Sequence, residues 1–324
     1  MHCYRLRFCA PFHVDGRGTG SHQDGEPFIR SDTLSAAVLS AWALLEPEQA
    51  EARAAQPPFL LSSAFPYWRT HYFLPRPVAS IALRLPEERL RESKPFKKIQ
   101  WLHSDLWLQV VAAGDRWLAP ANLTLWQDGL AWPQAPAEPL PHRLWAEEER
   151  PRLAMDRVSD GALDGQMFYF SRIHFDAEGG LYVLARFDDE SARAGFEAAL
   201  RLLGDSGIGA DRHGGNGQFS WEAGQAPALP SATAGAAITL SLVNPAPEEV
   251  QGDGLVGAQY QLISRGGWIG SGTLRRRRLR MFTEGSQFSR PLRGRVVDVT
   301  PDGPAPYRVY RDGRGFWVGT GGVS

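Results

Sequence analysis

The sequence predicts an α+β protein with tandem ferredoxin-like (RRM-type) domains, a long insertion in the first domain and a glycine-rich loop before its last strand. Its hydrophobic patterns occur in the order strand, helix, strand, strand, helix, strand, which is typical of a split βαβ unit. The glycine-rich segment 204–219 lies between the second helix and the last strand. Because 324 residues can hold two domains, we expect an N-terminal domain at 1–224, with its insertion at about 56–155, and a degenerate C-terminal domain at 237–324.

The first strand and helix follow from two periodicities. Over residues 4–9, apolar side chains alternate with arginine and cysteine, which predicts a strand. A flexible loop is expected at 16–20, and Ser31 with Asp32 is expected to cap the first helix. The helix should end at Pro47. Its buried stripe is predicted to contain Leu34, Val38, Ala41 and Leu45.

The insertion at about 56–155 is rich in proline and irregular, so we expect an exposed segment without a core of its own. After it, residues 167–172 predict a second strand buried on both faces, and residues 181–187 predict the returning strand. Asp188 or Asp189 should cap the second helix. The buried stripe of this helix is predicted to be Ala192, Phe196, Ala199, Leu200 and Leu203, and the last strand is predicted at 218–221.

The C-terminal part begins after a segment rich in proline, alanine and serine at 225–236, which is expected to be a linker. Alternating patterns then predict a second α+β domain made mostly of strands. These strands are expected at 238–243, 257–264, 276–282, 295–299 and 307–310.

Composition excludes several classes of protein. The net charge of −1 gives no global signal for nucleic acid, so a basic surface would have to be local. Cys3 and Cys9 are expected to be buried on one strand face, too far apart for a disulfide. A zinc site with His2 or His13 lacks the usual ligand spacing. Without an apolar leader or a membrane-spanning run, we expect a cytoplasmic protein with no membrane partner and no cofactor.

The glycine-rich segment 204–219 is the first candidate site, since six of its sixteen residues are glycine. Successive backbone N–H groups in such a loop can form an anion site, and Arg212 and His213 add side-chain donors at its tip. The ligand would then carry phosphates. The alternative, a slack hairpin connection without a ligand, is equally probable from the loop alone.

A basic tract in the C-terminal domain is the second candidate. Residues 265–295 contain nine arginines and one acid, Glu284, together with Trp268 and Phe282. Charge of one sign at that density attracts polyanions, and the aromatic rings could stack on bases. The alternative is a solvated strand face, because alternation directs only half of the arginines at 275–278 to one side.

Two further candidates are weaker. All but three of the 35 basic residues are arginine, and the three lysines lie together at Lys94, Lys97 and Lys98. This lysine cluster could be a binding site; the alternative is a charged surface that only keeps the protein soluble. His13 follows the first strand and could be a general acid or base; the alternative is a hydrogen bond to the backbone or a contact with RNA. The common nucleotide-cofactor, hydrolase and zinc-protease motifs are missing from the sequence.

The glycine-rich loop resembles that of the RAMP superfamily of CRISPR proteins. One subfamily is similar along the whole chain, namely the fourth subunit of the type III-A Csm effector complex; the type III-B subunit of similar role is the alternative with which it can be confused. Ala210 departs from the family's usual glycine, and the small hydroxyl residues usual near His213 are missing. The matching segments are residues 12–13, 29–34, 65–67, 73–75, 97–99, 156–159, 207–212, 265–268, 284–286 and 316–319.

The resemblance implies a non-catalytic subunit that caps the 5′ repeat-derived tag of the CRISPR RNA (crRNA). It also implies that the subunit joins the large palm-domain subunit to the backbone RAMP subunit. Two other functions stay open: an RNA-processing endoribonuclease of the same superfamily that uses His13, and an RRM-like protein outside CRISPR. The residues expected to bind RNA are His13, Arg30, Ser31, Lys97, Lys98, Gly207, Gly209, Arg212, His213, Gly214, Gly217, Arg265, Trp268, Arg276 and Arg278.

Overall fold

The computed structural model describes residues 1–15, 23, 25–83, 93–112, 117–118, 123–127, 129–133, 138–155, 162–232, 235–269 and 274–321. The loop predicted at 16–20 and the motif at 156–159 lie outside the described residues.

A nine-stranded sheet forms the centre of the molecule, in the order β13-β1-β12-β3-β4-β6-β9-β8, with β2 pairing β12. Among the described residues, two further short strands, β5 and β7, pair in parallel in a separate two-stranded sheet. The N-terminal strands are β1 (His2–Phe8), β2 (Phe59–Leu61), β3 (Phe65–Trp68), β4 (His71–Pro75), β5 (Ala82–Leu83), β6 (Trp101–His103), β7 (Trp117–Leu118), β8 (Thr124–Trp126), β9 (Leu130–Trp132), β10 (Trp145–Met155), β11 (Ala162–Phe175), β12 (Gly179–Phe187) and β13 (Phe219–Gly224).

Two long helices cover one face of the sheet around β1, β12 and β13. Gly195, in the second of these helices, lies so close to the first that an added Cβ would be 2.0 Å from the Trp42 ring. Short helices occupy the connections between the strands. The helices are α1 (Ser31–Leu45), α2 (Ala50–Ala55), α3 (Ser93–Lys97), α4 (Ser104–Ala112), α5 (Glu190–Ser206) and α6 (Pro247–Val250).

Helix α5 confirms the prediction in detail. Asp189 is its N-cap, with the side chain accepting a hydrogen bond from the Ala192 N–H at 2.7 Å. The five predicted stripe residues are all buried. For α1 the prediction is partly wrong. Leu45 is exposed, Arg30 is the N-cap residue, and the Asp32 side chain lies buried against the C-terminal half of the chain.

The predicted second strand does not join the sheet as a ferredoxin-like order requires. Residues 167–172 belong to β11, which pairs with β10 in a separate two-stranded hairpin. The place beside β12 is filled by β3 and β2 from the insertion. The hairpin is also not buried on both faces, because Met167 and Tyr169 are exposed. Alternation therefore identified a strand here, but could not identify its partner.

The expectation that the insertion is exposed and irregular is wrong as well. Its strands β3, β4, β6, β9 and β8 extend the central sheet, and helix α4 buries Leu106, Trp107, Val110 and Val111. These side chains belong to one hydrophobic cluster that also contains Tyr182 and Leu184 of β12 and Ile238 and Phe316 of the C-terminal part. The insertion is thus ordered by packing against the rest of the molecule, which its short strands do not reveal in the sequence.

The C-terminal part consists of several small sheets, and the tandem ferredoxin-like arrangement is not confirmed. Three of the five predicted strands are shorter in the structure, the one predicted at 295–299 is observed at the same length, and the one predicted at 307–310 is shifted to 310–314. The sheets are β19-β14-β22, β15-β18, β16-β17 and β20-β21. Their strands are β14 (Ala237–Thr239), β15 (Leu262–Arg265), β16 (Trp268–Ile269), β17 (Leu274–Arg275), β18 (Leu279–Phe282), β19 (Gln287–Phe288), β20 (Gly294–Asp298), β21 (Tyr310–Arg314) and β22 (Trp317–Gly319).

The cysteine prediction is half right. Both thiols are free, and Cys3 is buried, but Cys9 is exposed. The reason is that β1 ends at Phe8, so Cys9 no longer follows the alternation of the strand. Burial raises the pKa of the Cys3 thiol to about 12. Among the described residues, no helix is long and apolar enough to cross a membrane, and no cluster of His, Cys, Asp and Glu could hold a metal ion.

Candidate functional site

A groove of 530 Å³ lies between the glycine-rich loop, helix α1 and the C-terminal part. Five residues expected from the sequence line it together: Gly207, Gly209, Arg212, Arg265 and Arg276. A fourth arginine of the lining, Arg311, was not expected. The charged side chains of the lining are four arginines and two aspartates, so positive charge is in excess there.

The glycines of the loop permit close packing of the chain on itself. Gly207, Gly209 and Gly217 have φ angles of 82°, 94° and 78°. A Cβ on Gly209 would lie 2.2 Å from the His13 carbonyl oxygen, and one on Gly217 would lie 2.0 Å from that of Ile208. These glycines are therefore required by the fold of the loop itself.

Most of the loop amides also hold the loop against the rest of the chain, through hydrogen bonds to backbone carbonyls. Ile208 N–H donates to Gly217 O at 2.9 Å, Ala210 N–H to His13 O at 2.9 Å, and Gly217 N–H to Pro11 O at 2.7 Å. An anion cradle made of successive N–H groups is thus not present at these positions, because the amides are already bonded within the protein. The loop acts as a rigid support, and its side chains provide the donors.

Arg212, His213 and Gly214 form a single exposed turn at the tip of this support. Asp211 precedes them with a left-handed φ of 61°. Its carboxylate accepts a hydrogen bond from Asn216 at 2.6 Å and pairs with Arg152 of the β10–β11 hairpin. The hydrogen bond from Arg152 lowers the pKa of Asp211 despite partial burial. The tip is therefore fixed from both sides while the Arg212 side chain remains accessible.

The floor of the groove holds a buried charge cluster of Asp32, Arg265 and Arg311. Arg265 donates to both carboxylate oxygens of Asp32, at 2.9 and 3.0 Å, and Arg311 donates to the same carboxylate. Burial alone would raise the pKa of Asp32, but the two guanidinium groups outweigh it and hold this pKa well below its ordinary value. Two cations against one anion leave a net positive charge at the floor.

Arg265 was expected to contact RNA, and in this structure it is buried in the charge cluster, so its direct contact with RNA stays a prediction. Its side chain is buried, and besides Asp32 it donates to the Thr33 hydroxyl at 2.8 Å. An exposed phosphate could reach it only if the pairing with Asp32 were broken, which is costly for a buried ion pair. It contributes to the site through its charge.

Arg276 lies between the floor and the surface. Its Nε donates to the Trp268 carbonyl at 2.9 Å. Desolvation, followed by the neighbouring Arg311 cation, lowers its pKa. In the same β16–β17 hairpin, the Arg275 guanidinium lies 4.4 Å from the centre of the Trp268 ring, which is partly exposed. The hairpin thus presents an aromatic ring and a poorly neutralised cation beside the groove.

Arg30 and Ser31 connect the two halves of the chain, and their expected contacts with RNA stay predictions. The Arg30 guanidinium donates to Glu284 at 2.7 Å and to Glu26 at 3.0 Å. The Ser31 hydroxyl accepts from the Leu242 N–H at 2.9 Å. The two most specific motifs, at 29–34 and 284–286, therefore meet at the interface that places α1 beside the basic tract.

His13 is buried under the loop and is not open to a substrate in this structure. Its Nδ1 donates to the Ser171 carbonyl at 2.8 Å, so the ring supports the hairpin. Its ring centre lies 4.9 Å from that of Phe170. The structural alternative, a hydrogen bond to the backbone, is thus confirmed for this residue.

The remaining expected residues do not line the groove. Lys97 and Lys98 are exposed at the end of α3, in the insertion, and Arg278 is exposed between β17 and β18. Lys97 and Lys98 stay predictions of a separate contact. Sequence reasoning also missed Arg311 and read Asp32 only as a helix cap, because a lone arginine in β21 carries no pattern that indicates its partner.

Comparisons with known proteins agree with this geometry. Residues 232–320 match the family model of the CRISPR Csm4 C-terminal domain. A protein of Mycobacterium tuberculosis (strain CDC 1551 / Oshkosh) named CRISPR system Cms protein Csm4 is 32% identical over 165 residues, which cover 47% of this chain and 52% of the relative. The chain thus matches about half the length of that relative. The protein of the same name from Thermococcus onnurineus is 27% identical over 233 residues, covering 70% of this chain and 68% of the relative.

Solved structures share the fold over nearly the whole chain. The Csm3–Csm4 subcomplex of a type III-A interference complex matches with a TM-score of 0.63 at 18% identity, covering 98% of this chain and 99% of the other. A Csm1–Csm4 cassette with pppApA matches with a TM-score of 0.60 at 19% identity, covering 98% and 96%. These matches show that the chain shares the fold of those structures.

Proposed function

This chain belongs to the Csm4 family of CRISPR proteins, and from that premise we propose that it is a non-catalytic RNA-binding subunit of a type III-A interference complex. It caps the 5′ repeat-derived tag of the crRNA. It also links the large palm-domain subunit to the backbone subunit that lies along the guide. The complex acts in the cytoplasm.

The observation that carries this proposal is the groove between the glycine-rich loop and the basic tract. Arg212 lies at one wall, Arg276 at the other, and the Asp32–Arg265–Arg311 cluster leaves excess positive charge at the floor. Arginine binds phosphate through bidentate hydrogen bonds, and positive walls of low dielectric focus the field on an anionic chain. A single RNA strand fits this pattern of charge.

The aromatic hairpin beside the groove supports a single strand over a duplex. Trp268 is partly exposed next to Arg276 and Arg275. Proteins that bind single-stranded RNA combine a positive track for the backbone with aromatic faces on which bases stack. The groove supplies the positive track for the RNA backbone, and the β16–β17 hairpin supplies the aromatic face for a base.

The partner proposal rests on similarity. Relatives with this fold were solved together with Csm1 and with Csm3, and this chain is proposed to contact the equivalent subunits. Lys97 and Lys98, exposed on the insertion away from the groove, are proposed to touch the guide or the neighbouring subunit.

An endoribonuclease that uses His13 is less well supported. A general base must come within hydrogen-bonding reach of the proton that it removes. The His13 ring is buried, and its Nδ1 already donates to the Ser171 carbonyl.

The test uses the protein co-expressed with the other Csm subunits and, separately, alone. Labelled repeat RNA and guide RNA with or without the 5′ tag are incubated without metal, and binding and cleavage are measured. We expect tag-dependent binding and intact RNA. Metal-independent cleavage that His13→Ala abolishes would overturn the structural proposal, and equal affinity for RNA without the tag would overturn the capping role.

A further inference from the structure

A second cleft, of 550 Å³, opens next to the groove on the other side of Arg276. It lies between α1, α2 and the segment 306–310 that leads into β21. Arg276, Ala36 and Ser40 line both cavities, so the cleft is continuous with the groove at that point. Its volume is within the range of roughly 300–1,000 Å³ typical of small-ligand sites.

The two helices contribute small and apolar side chains to this cleft, among them Leu39, Ala43 and Ala54. Charged side chains line it as well, namely Glu51, Arg276, Arg308 and Asp312. The Tyr307 side chain stands at the opposite wall with 55% of its surface exposed, which is high for so large an aromatic ring. Arg276 and Tyr307 are close enough to interact electrostatically.

We propose that this cleft takes a single unstacked nucleobase of the RNA whose backbone lies in the groove, with the base stacked on Tyr307. This inference rests on the proposed function and identifies a base-binding subsite next to its backbone site. Bases of single-stranded RNA are splayed out and stack on aromatic side chains when proteins read them.

The position of Arg276 favours this occupant. Its guanidinium is half buried beside two other arginines, so a phosphate oxygen is the group that best compensates its charge. A nucleotide whose phosphate contacts Arg276 has its base directed into one of the two adjoining cavities. Charged side chains line both cavities, but among the described residues only the cleft has aromatic rings in its lining, Tyr307 and Tyr310, so a base can stack on a ring in the cleft and not in the groove.

The test compares Tyr307→Ala with Tyr307→Phe, and uses Tyr169→Ala, an exposed tyrosine that lines neither cavity, as the matched control. Tagged guide RNA binding is measured at several salt concentrations, with wild-type RNA and with RNAs that carry one abasic residue at each tag position in turn. Ala43→Leu, which fills the cleft from the opposite wall, is a second variant that leaves the ring in place.

We expect Tyr307→Ala to weaken binding by about 5- to 100-fold, in line with the usual effect of losing one stacked base. Tyr307→Phe and Tyr169→Ala should bind like the wild type, and Ala43→Leu should bind like Tyr307→Ala. The salt dependence should not change, because no phosphate contact is removed. The RNA that is abasic at the position bound in the cleft should bind the wild-type protein more weakly by the same factor. The same abasic change should not weaken binding to Tyr307→Ala any further.

Wild-type affinity of both Tyr307→Ala and Ala43→Leu would overturn the base subsite. If Arg212→Ala still weakened binding in that experiment, the backbone site of the proposed function would stand. Failure of the wild-type protein to bind tagged RNA would overturn both the base subsite and the proposed RNA-binding function. Equal losses for every abasic position would contradict a subsite for one base.

Discussion

At the scale of single residues, the arginines of the molecule divide into two kinds. Arg265 and Arg311 are buried and pair with one carboxylate, whereas Arg212 is exposed at the tip of a fixed loop. Exposure decides which of them can exchange its hydration for a phosphate contact. We therefore assign the direct contact to Arg212 and a supporting electrostatic role to the buried pair.

Arg212→Ala should weaken guide RNA binding and lower the slope of log affinity against log salt by about one contact. The physical reason is that one phosphate would no longer release its counterion. Binding is measured between low and moderate salt, with Arg201→Ala on the exposed face of α5 as the control. An unchanged slope for Arg212→Ala would mean that this side chain does not contact a phosphate.

Asp32→Asn should destabilise the protein by about 3–5 kcal/mol, because it leaves two buried guanidinium groups without their anion. Chemical denaturation measures the loss, and Asp188→Asn at an exposed position serves as the control. The double variant in which Arg265 is also replaced by methionine should recover part of the loss. A change below about 1 kcal/mol for Asp32→Asn would contradict the role of the cluster.

At the scale of elements, the glycine-rich loop depends on glycine for two separable reasons. Gly217 has a positive φ and no room for a Cβ, whereas Gly215 has a φ of 79° and open space around it. We expect Gly217→Ala to cost about 2 kcal/mol or more and Gly215→Ala only about 1 kcal/mol. Urea denaturation and RNA binding measured side by side give the test; equal effects of the two variants would contradict the packing argument.

A second element-scale prediction concerns the contact between β4 and β6. The Asp105 N–H donates to His103 Nδ1, so His103 Nε2 carries the proton and donates to His71 Nδ1 at 3.1 Å. Burial, with the neighbouring His71 adding to it, lowers the pKa of His103 to about 4, and burial lowers that of His71. Both rings are therefore held neutral in the folded protein.

A lowered pKa for a base means that its contribution to stability is complete above pH 6.5 and declines as the pH falls towards 4. We expect the wild type to lose up to about 3 kcal/mol more than His103→Gln over that interval. Urea denaturation at a series of pH values measures this, with exposed His142→Gln as the control. Parallel pH profiles of wild type and His103→Gln would refute the assignment.

At the scale of the whole molecule, the two predicted domains share a core. One cluster joins Phe65 and Trp101 to Ile238, Leu240 and Phe316. Motifs from both halves meet at the Arg30–Glu284 pair. The groove exists only because this interface places α1 and the loop against the basic tract.

We therefore expect the full chain to unfold in one cooperative transition, with fluorescence and circular dichroism giving the same midpoint. Residues 1–236 expressed alone should aggregate or bind an apolar dye, because the truncated cluster would be exposed to water. Two resolved transitions, or a soluble and cooperatively folded fragment 1–236, would show that the halves fold independently.

The sequence by itself determined the local structure wherever one periodicity was strong. Helix α5, with its Asp189 cap and five-residue stripe, and strand β1 follow directly from pattern, as does the position of the loop between α5 and β13. The family resemblance was also available from motifs. These features depend on interactions between residues close together in the chain, so the sequence pattern is enough to predict them.

Only the tertiary structure decided which strand lies beside β12, because the sequence predicted the strand at 167–172 but not β3, and pairing depends on distant contacts. It also decided that Arg265 and His13 are buried and that Arg30 is largely covered by its ion pairs, while Arg212 is exposed. Charge in a sequence predicts attraction to a polyanion, but direct contact needs an accessible side chain, and burial is a property of the folded molecule.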